Sequence, residues 1–176
     1  MSVDPNPKDK KRLPVLKIKG KPVGRKERFA MYGFFSVHML IFGVSGFWFA
    51  YAGSDVGVLF RCMHGAIAVV AYSCFYVMLF GLDEVKWMFI NAGLGILGIY
   101  SQIGWILGQF GRKIDDYSTA THVIPFLYFI LYTFLFRQAF IDLMGARENA
   151  ARRRKVEILY VIISIVVYGG SDFLRR

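Results

Sequence analysis

The sequence predicts an all-α fold: a polytopic helical membrane protein with four transmembrane helices, a short fifth, and an extended basic N-terminal tail. Three observations predict it. The first is the length of the apolar runs. About 20 apolar residues in a helix span the ~30 Å hydrocarbon layer, whereas barrel strands would be about ten residues long with alternating polarity; the runs here are long and apolar on all sides. The second is composition. The chain has 176 residues, 56% of them hydrophobic and 17% aromatic, with a mean hydropathy of +0.44, which leaves no room for a sizeable soluble domain beside a bundle. The third is charge placement: ten of the 22 Lys and Arg fall in the first 28 residues.

Taken in order, residues 1–28 form the tail. Its basic residues oppose only Asp4, Asp9 and Glu27, and Pro5, Pro7, Pro14 and Pro22 remove backbone donors and disfavour helix, so the segment should be extended. It is too polar to be a signal peptide, and its acidic residues fit a transit peptide badly; the first helix then doubles as the insertion signal. The bundle occupies 29–144, with spans at 29–51, 56–82, 87–110 and 119–144. Ala52-Gly53-Ser54-Asp55 and Asp83-Glu84-Val85-Lys86 make the tight turns, and a polar link follows at 111–118. A basic inner loop covers 145–155. The last segment, 156–176, opens on a largely apolar run of 13 residues at 156–168; it spans thinly if extended to Leu174, or lies in the interface.

Lys and Arg orient such a chain through the positive-inside bias. Sixteen lie on one side (the ten of the tail, Lys86, and five in 145–155), against four on the other (Arg112, Lys113, Arg175 and Arg176). The N-terminus is therefore expected on the inner, cytoplasmic or matrix side. A mitochondrial or bacterial inner membrane is favoured over the secretory pathway.

Few residues offer chemistry. Cys62 and Cys74 share one predicted span and read as small packing residues. There is no HExxH, GxSxG or P-loop, and Asp83-Glu84 and Asp115-Asp116 read as solvated turn residues on opposite sides. No metal site is expected. Arg61 and Arg137 sit inside spans, where a charge is costly. Arg61 is close enough to its span's end to snorkel or to pair with Asp115 or Asp116, and Arg137 close enough to reach Asp142 or inner headgroups. Ser101, Gly104, Gly108 and Gly111 recur at i, i+3, i+7 and i+10, the spacing of a small-residue face on which helices pack closely. His38, His64 and His122 all fall in predicted spans. His38 and His64 lie roughly 14 and 12 Å from opposite span ends, a pair that would suit the axial ligands of a b-type haem, with Arg61 at a propionate or a quinone oxygen.

The expectation that best accommodates these features is a non-catalytic accessory subunit of a larger membrane complex, in an energy-transducing inner membrane. Its small-residue face would pack neighbouring helices, within this chain or beside it, and lipids. Lys17, Lys19, Lys21, Arg25, Lys26, Arg28, Arg152, Arg153, Arg154 and Lys155 would meet acidic lipids such as cardiolipin, or acidic partner surfaces. No cofactor is expected on this reading and no nucleic-acid partner, because no aromatic residue precedes Phe29. The alternatives are a haem- or quinone-handling electron-transfer subunit using His38 and His64, and a small tetraspan trafficking or scaffold protein.

Overall fold

The computed structural model describes residues 17–18, 21–51 and 57–173. Residues 1–16, 19–20, 52–56 and 174–176 lie outside the described residues, and with them most of the expected tail, Lys19, Arg175 and Arg176, as do the side chains of Arg61, Lys17 and Lys21.

The described chain is helical apart from one minimal hairpin. Strands β1 (Lys17–Ile18) and β2 (Lys21–Pro22) pair antiparallel, with Ile18 opposite Lys21. Six helices follow: α1 (Arg25–Tyr51), α2 (Val58–Phe80), the single turn α3 (Leu82–Val85), α4 (Trp87–Gln109), α5 (Val123–Leu143) and α6 (Ala150–Phe173). Short 3₁₀ turns at Ile114–Asp116 and Thr119–His122 carry the chain from α4 to α5.

Three helices are long and apolar enough to cross a membrane, Arg25–Tyr51, Cys62–Phe80 and Thr119–Leu143, and a fourth if Leu82–Ile96 and Gly98–Gln109, bent by 58°, count as one span. Glycines at 93, 95 and 98 lie around that bend and weaken the helix against it. The predicted spans match α1, α2, α4 and α5 to within a few residues. Two boundaries shift because helix invades the basic segments. At the front, the Glu27 carboxylate accepts a hydrogen bond from the Gly24 N–H at 2.8 Å and caps a helix that starts at Arg25. At the back, nothing in Ala150-Ala151-Arg152-Arg153-Arg154 breaks helix, so α6 begins inside the basic loop and runs 24 residues.

The helices end where the chain can adopt positive φ. Gly111 (φ +67°) and Gly145 (φ +60°) close α4 and α5; beyond them Arg112 N–H donates to the Leu107 carbonyl at 3.0 Å and Ala146 N–H to the Ile141 carbonyl at 2.9 Å. These bonds satisfy carbonyls the helix leaves open.

Helix α5 is the hub. It packs against α1, α2, α4 and α6, and 44% of its span is buried, twice the 22% of α1. Tyr76, Leu131, Phe134 and Leu135 fill the core towards the N-terminal end of α1; Tyr51, Ile103, Leu107 and Phe129 fill it towards the far end. Outside, the burial pattern is inverted. Phe34, Leu40, Trp48, Ile67, Met78, Phe89, Ile96, Trp105 and Val166 are each more than 60% exposed, while Arg28, Glu84, Asn91, Arg137, Gln138, Asp142 and Arg147 are buried.

Candidate functional site

Two regions stand out, one at each end of the bundle. The first is a lattice of ion pairs where α1 begins, α3 turns, α5 ends and α6 begins. Spacing in sequence builds it. Arg28 and Tyr32 are one helical turn apart on α1, Arg153 and Glu157 one turn apart on α6, and such i,i+4 pairs share a face. On α5, Arg137 and Gln138 turn to Glu84, and Asp142 turns to Arg28.

Asp142 is the centre of one half. It accepts from Arg28 Nε at 3.2 Å and Arg147 Nε at 2.6 Å, and the Tyr32 hydroxyl donates to the same carboxylate. Arg28 also donates to the Val23 carbonyl at 2.7 Å, tying the end of the tail to α5. Glu84 is the centre of the other half. It accepts from Arg137 Nη1 at 3.0 Å, Gln138 Nε2 at 2.9 Å and Arg153. Arg137 and Arg153 both also engage Glu157. Gln138 joins the halves, since its Oε1 accepts from Arg147 Nη2 at 2.9 Å while its amide nitrogen holds Glu84. The Arg137 guanidinium lies 3.9 Å from the centroid of the Trp87 ring, a cation–π contact that strengthens when desolvated.

The charge count favours cations: four arginines (28, 137, 147, 153) meet three carboxylates (84, 142, 157). Burial opposes the charge on Arg153, but hydrogen bonds and attraction from Glu84 and Glu157 outweigh it and raise its pKa. Each carboxylate accepts from at least one arginine of another element, so the lattice ties α1, α3, α5 and α6 together. Among the described residues two buried polar atoms have no partner, Arg137 Nε and Asn91 Nδ2.

This geometry corrects two expectations. Glu84 is not a solvated turn residue; only Asp83 is exposed, paired with Lys86 at 2.8 Å. Arg137 does not reach Asp142 or the surface, because Arg28 and Arg147 occupy Asp142 and the two glutamates lie nearer. The basic residues assigned to lipid also divide. Arg28 and Arg153 turn inward to carboxylates, whereas Arg25, Lys26, Arg152, Arg154 and Lys155 are exposed around the same end.

The second region is a lateral furrow of about 790 Å³ between α1 and α4, floored by α5. Leu40, Val44, Phe47, Ile103, Leu107 and Phe129 line it, and Arg112 closes its far end. Arg112 is held there by its Nη1, which donates to the Tyr51 carbonyl and to the Tyr117 hydroxyl at 2.8 Å. Tyr51 in turn bonds His122 Nδ1 at 2.7 Å.

The three histidines are all engaged. His38 Nδ1 meets the Tyr72 hydroxyl at 2.6 Å. Ser45 donates to the Phe42 carbonyl, so His64 Nε2–H donates to Ser45 Oγ at 3.3 Å and His64 Nδ1 accepts from Tyr128 at 3.1 Å. His38 and His64 pack against a common ring, Phe42, at centroid distances of 5.1 and 5.7 Å. Among the described residues no group of three His, Cys, Asp or Glu forms a metal-ligand cluster. Cys62 and Cys74 are exposed on α2.

The small-residue face is only partly on the helix. Gly104 is buried and Ser101 half-buried, Gly108 faces open space, and Gly111 lies past the helix end. Close approaches also occur at three glycines outside that set. A Cβ on Gly46 would sit 2.6 Å from the Tyr128 ring, one on Gly95 2.7 Å from Phe129, and one on Gly98 against Tyr168. The run Gly93-Leu-Gly95-Ile-Leu-Gly98 was the available signal for two of them. No protein-family model matches this chain, and neither a curated protein nor a solved structure matches it.

Proposed function

We propose that this chain is a multi-pass integral membrane protein that acts as a non-catalytic structural subunit of a larger membrane assembly. The observation that carries the reading is the inverted burial: large apolar side chains face outward along α1, α2, α4 and α5 while seven charged groups are gathered inside one end. In water such a surface far exceeds the few hundred Å² of contiguous apolar patch a monomer normally exposes. In lipid it is the ordinary lining of a span, and charges face the bundle interior.

The exposed cations Arg25, Lys26, Arg152, Arg154 and Lys155 form a basic collar around the ion lattice. They suit the acidic headgroups of an inner leaflet, each worth about 1 kcal/mol near such a surface, and the positive-inside bias puts this end on the cytoplasmic or matrix side. An energy-transducing inner membrane, rich in acidic lipid, is the setting we favour. The ion lattice would make the collar end a fixed platform on which other subunits assemble.

Purification of the native protein in mild detergent tests this, with mass spectrometry of the co-migrating chains and an absorption spectrum of the same sample. Stoichiometric partner subunits and a flat Soret region are expected. A lone protein would sink the subunit reading. A Soret band lost on replacing His64 would make it an electron carrier.

A further inference from the structure

We propose that the α1–α4 furrow is a binding site for one zwitterionic phospholipid, with an acyl chain between the helices and the headgroup on the 112–116 loop. The site lies at the end of the bundle opposite the basic collar and is independent of it.

Shape is the first argument. The lining runs along α1 from Ser36 to Tyr51, a rise of about 22 Å, longer than the ~15 Å depth of one leaflet. A cleft of about 790 Å³ falls within the ordinary range for sites that enclose a ligand. Helices in lipid gain little by closing over an apolar gap, so a furrow of this depth is filled by chains from the bilayer. Gly43 lines the furrow, and nothing lies within 4 Å of where its Cβ would be. The space over α1 at that point is therefore open to an occupant.

Charge at the mouth is the second argument, and it selects the headgroup. Arg112 stands at the furrow's end, fixed through a single nitrogen, Nη1, of a fork with five N–H donors. Lys113 follows it in sequence, exposed. Two carboxylates come next: Asp116 accepts from its own loop's Lys113 N–H at 2.8 Å, and Asp115 is exposed. The loop is thus a cation pair followed by an anion pair, with no net charge. A phosphate set against Arg112 and Lys113 leaves an amine to face Asp115, the polarity of a phosphoethanolamine headgroup. An anionic lipid would satisfy the arginine and be repelled by the aspartates.

The inference rests on the membrane reading, and extraction tests that reading separately: release by carbonate without detergent would sink it before any lipid is counted. The experiment is native mass spectrometry of the full chain reconstituted in equimolar phosphatidylethanolamine and phosphatidylglycerol. One bound phosphatidylethanolamine per chain is expected in the wild type. Gly43→Phe, which fills the furrow, should lower its occupancy about tenfold, the equivalent of ~1.4 kcal/mol. Gly33→Phe, likewise open around its Cβ but outside the furrow, should retain it. Asp115→Asn should keep the bound lipid and reduce the ethanolamine preference about two- to fivefold, the range of an exposed ion pair. Equal occupancy in wild type and Gly43→Phe, retention of phosphatidylglycerol instead, or a second copy of the chain in place of lipid would each overturn the proposal.

Discussion

The two ends of the bundle solve the same problem in opposite ways. At the collar end, α1, α3, α5 and α6 are joined by charge: Asp142 and Glu84 each collect three side chains, and Gln138 links them. At the opposite end, α1 and α4 stand apart over α5, and among the described residues Arg112, Tyr51, Tyr117 and His122 knit the 112–122 loop to the helices. In an apolar surround the difference has a physical logic. Hydrocarbon does not push helices together, so helices close only where something specific holds them. Buried ion pairs that each engage several partners do so at one end; where no such group is placed, the furrow stays open. One end is a fixed joint, the other an accommodating cleft.

Breaking the joint should cost most. Arg137→Met leaves Glu84 and Glu157 short of a guanidinium and removes the stack on Trp87. Removing one partner of a buried ion pair costs about 3–5 kcal/mol, so unfolding in a denaturing-detergent titration should shift by that amount. A neutral result would mean that water reaches this end freely and that the lattice is a surface feature. Asp142→Asn should cost less, about 1.5–3 kcal/mol, the worth of hydrogen bonds to a charged group, because Arg28 and Arg147 lie nearer the collar surface than Arg137 and can turn outward. Raising salt should leave both effects nearly unchanged, since buried pairs are poorly screened.

Between the ends, packing at glycine decides. Gly95→Val would drive a side chain into Phe129 and Gly46→Val one into Tyr128, each an overpacking cost of about 1–3 kcal/mol. The Gly46 variant also displaces the Tyr128 hydroxyl from His64, so perturbation of the His64 ring resonances in NMR should accompany it but not the Gly95 variant. Equal behaviour of the two would mean that the α1–α5 and α4–α5 contacts are not distinct.

How much of this was legible in the sequence follows from range. Helix existence and approximate bounds came from runs of about 20 apolar residues, a local property, and α1, α2, α4 and α5 lie close to where those runs put them. The ion lattice was not legible. Arg137 stood out as a charge inside a span, yet its partners lie 53 and 20 positions away, and the nearer Asp142 proved to belong to Arg28, 114 positions back. Pairings of that kind depend on the rotation of each helix about its axis, which periodicity weakly specifies when a helix is apolar all round. Tyr32 and Gln138, uncharged, gave no signal at all. Glycine spacing is limited for a related reason: i, i+3, i+7 identifies a face, but which neighbour meets a glycine is set by the neighbour, and Phe129 and Tyr168 lie against Gly95 and Gly98.

The smallest effect separates the chain from its assembly. Gly108 is exposed, with nothing within 4 Å of its Cβ position, one residue before α4 ends. Within the isolated chain Gly108→Leu adds a side chain to open space, so its stability should stay within about 0.5 kcal/mol of wild type. At Gly108 itself the helix backbone is bare of side chain, the condition under which small residues admit a close partner. If a neighbouring subunit packs there, Gly108→Leu should reduce its recovery in mild-detergent purification while the phosphatidylethanolamine in the furrow and the detergent-unfolding midpoint remain as in wild type. Unchanged recovery would assign the glycine to lipid, and the open end of the bundle would then face only the bilayer.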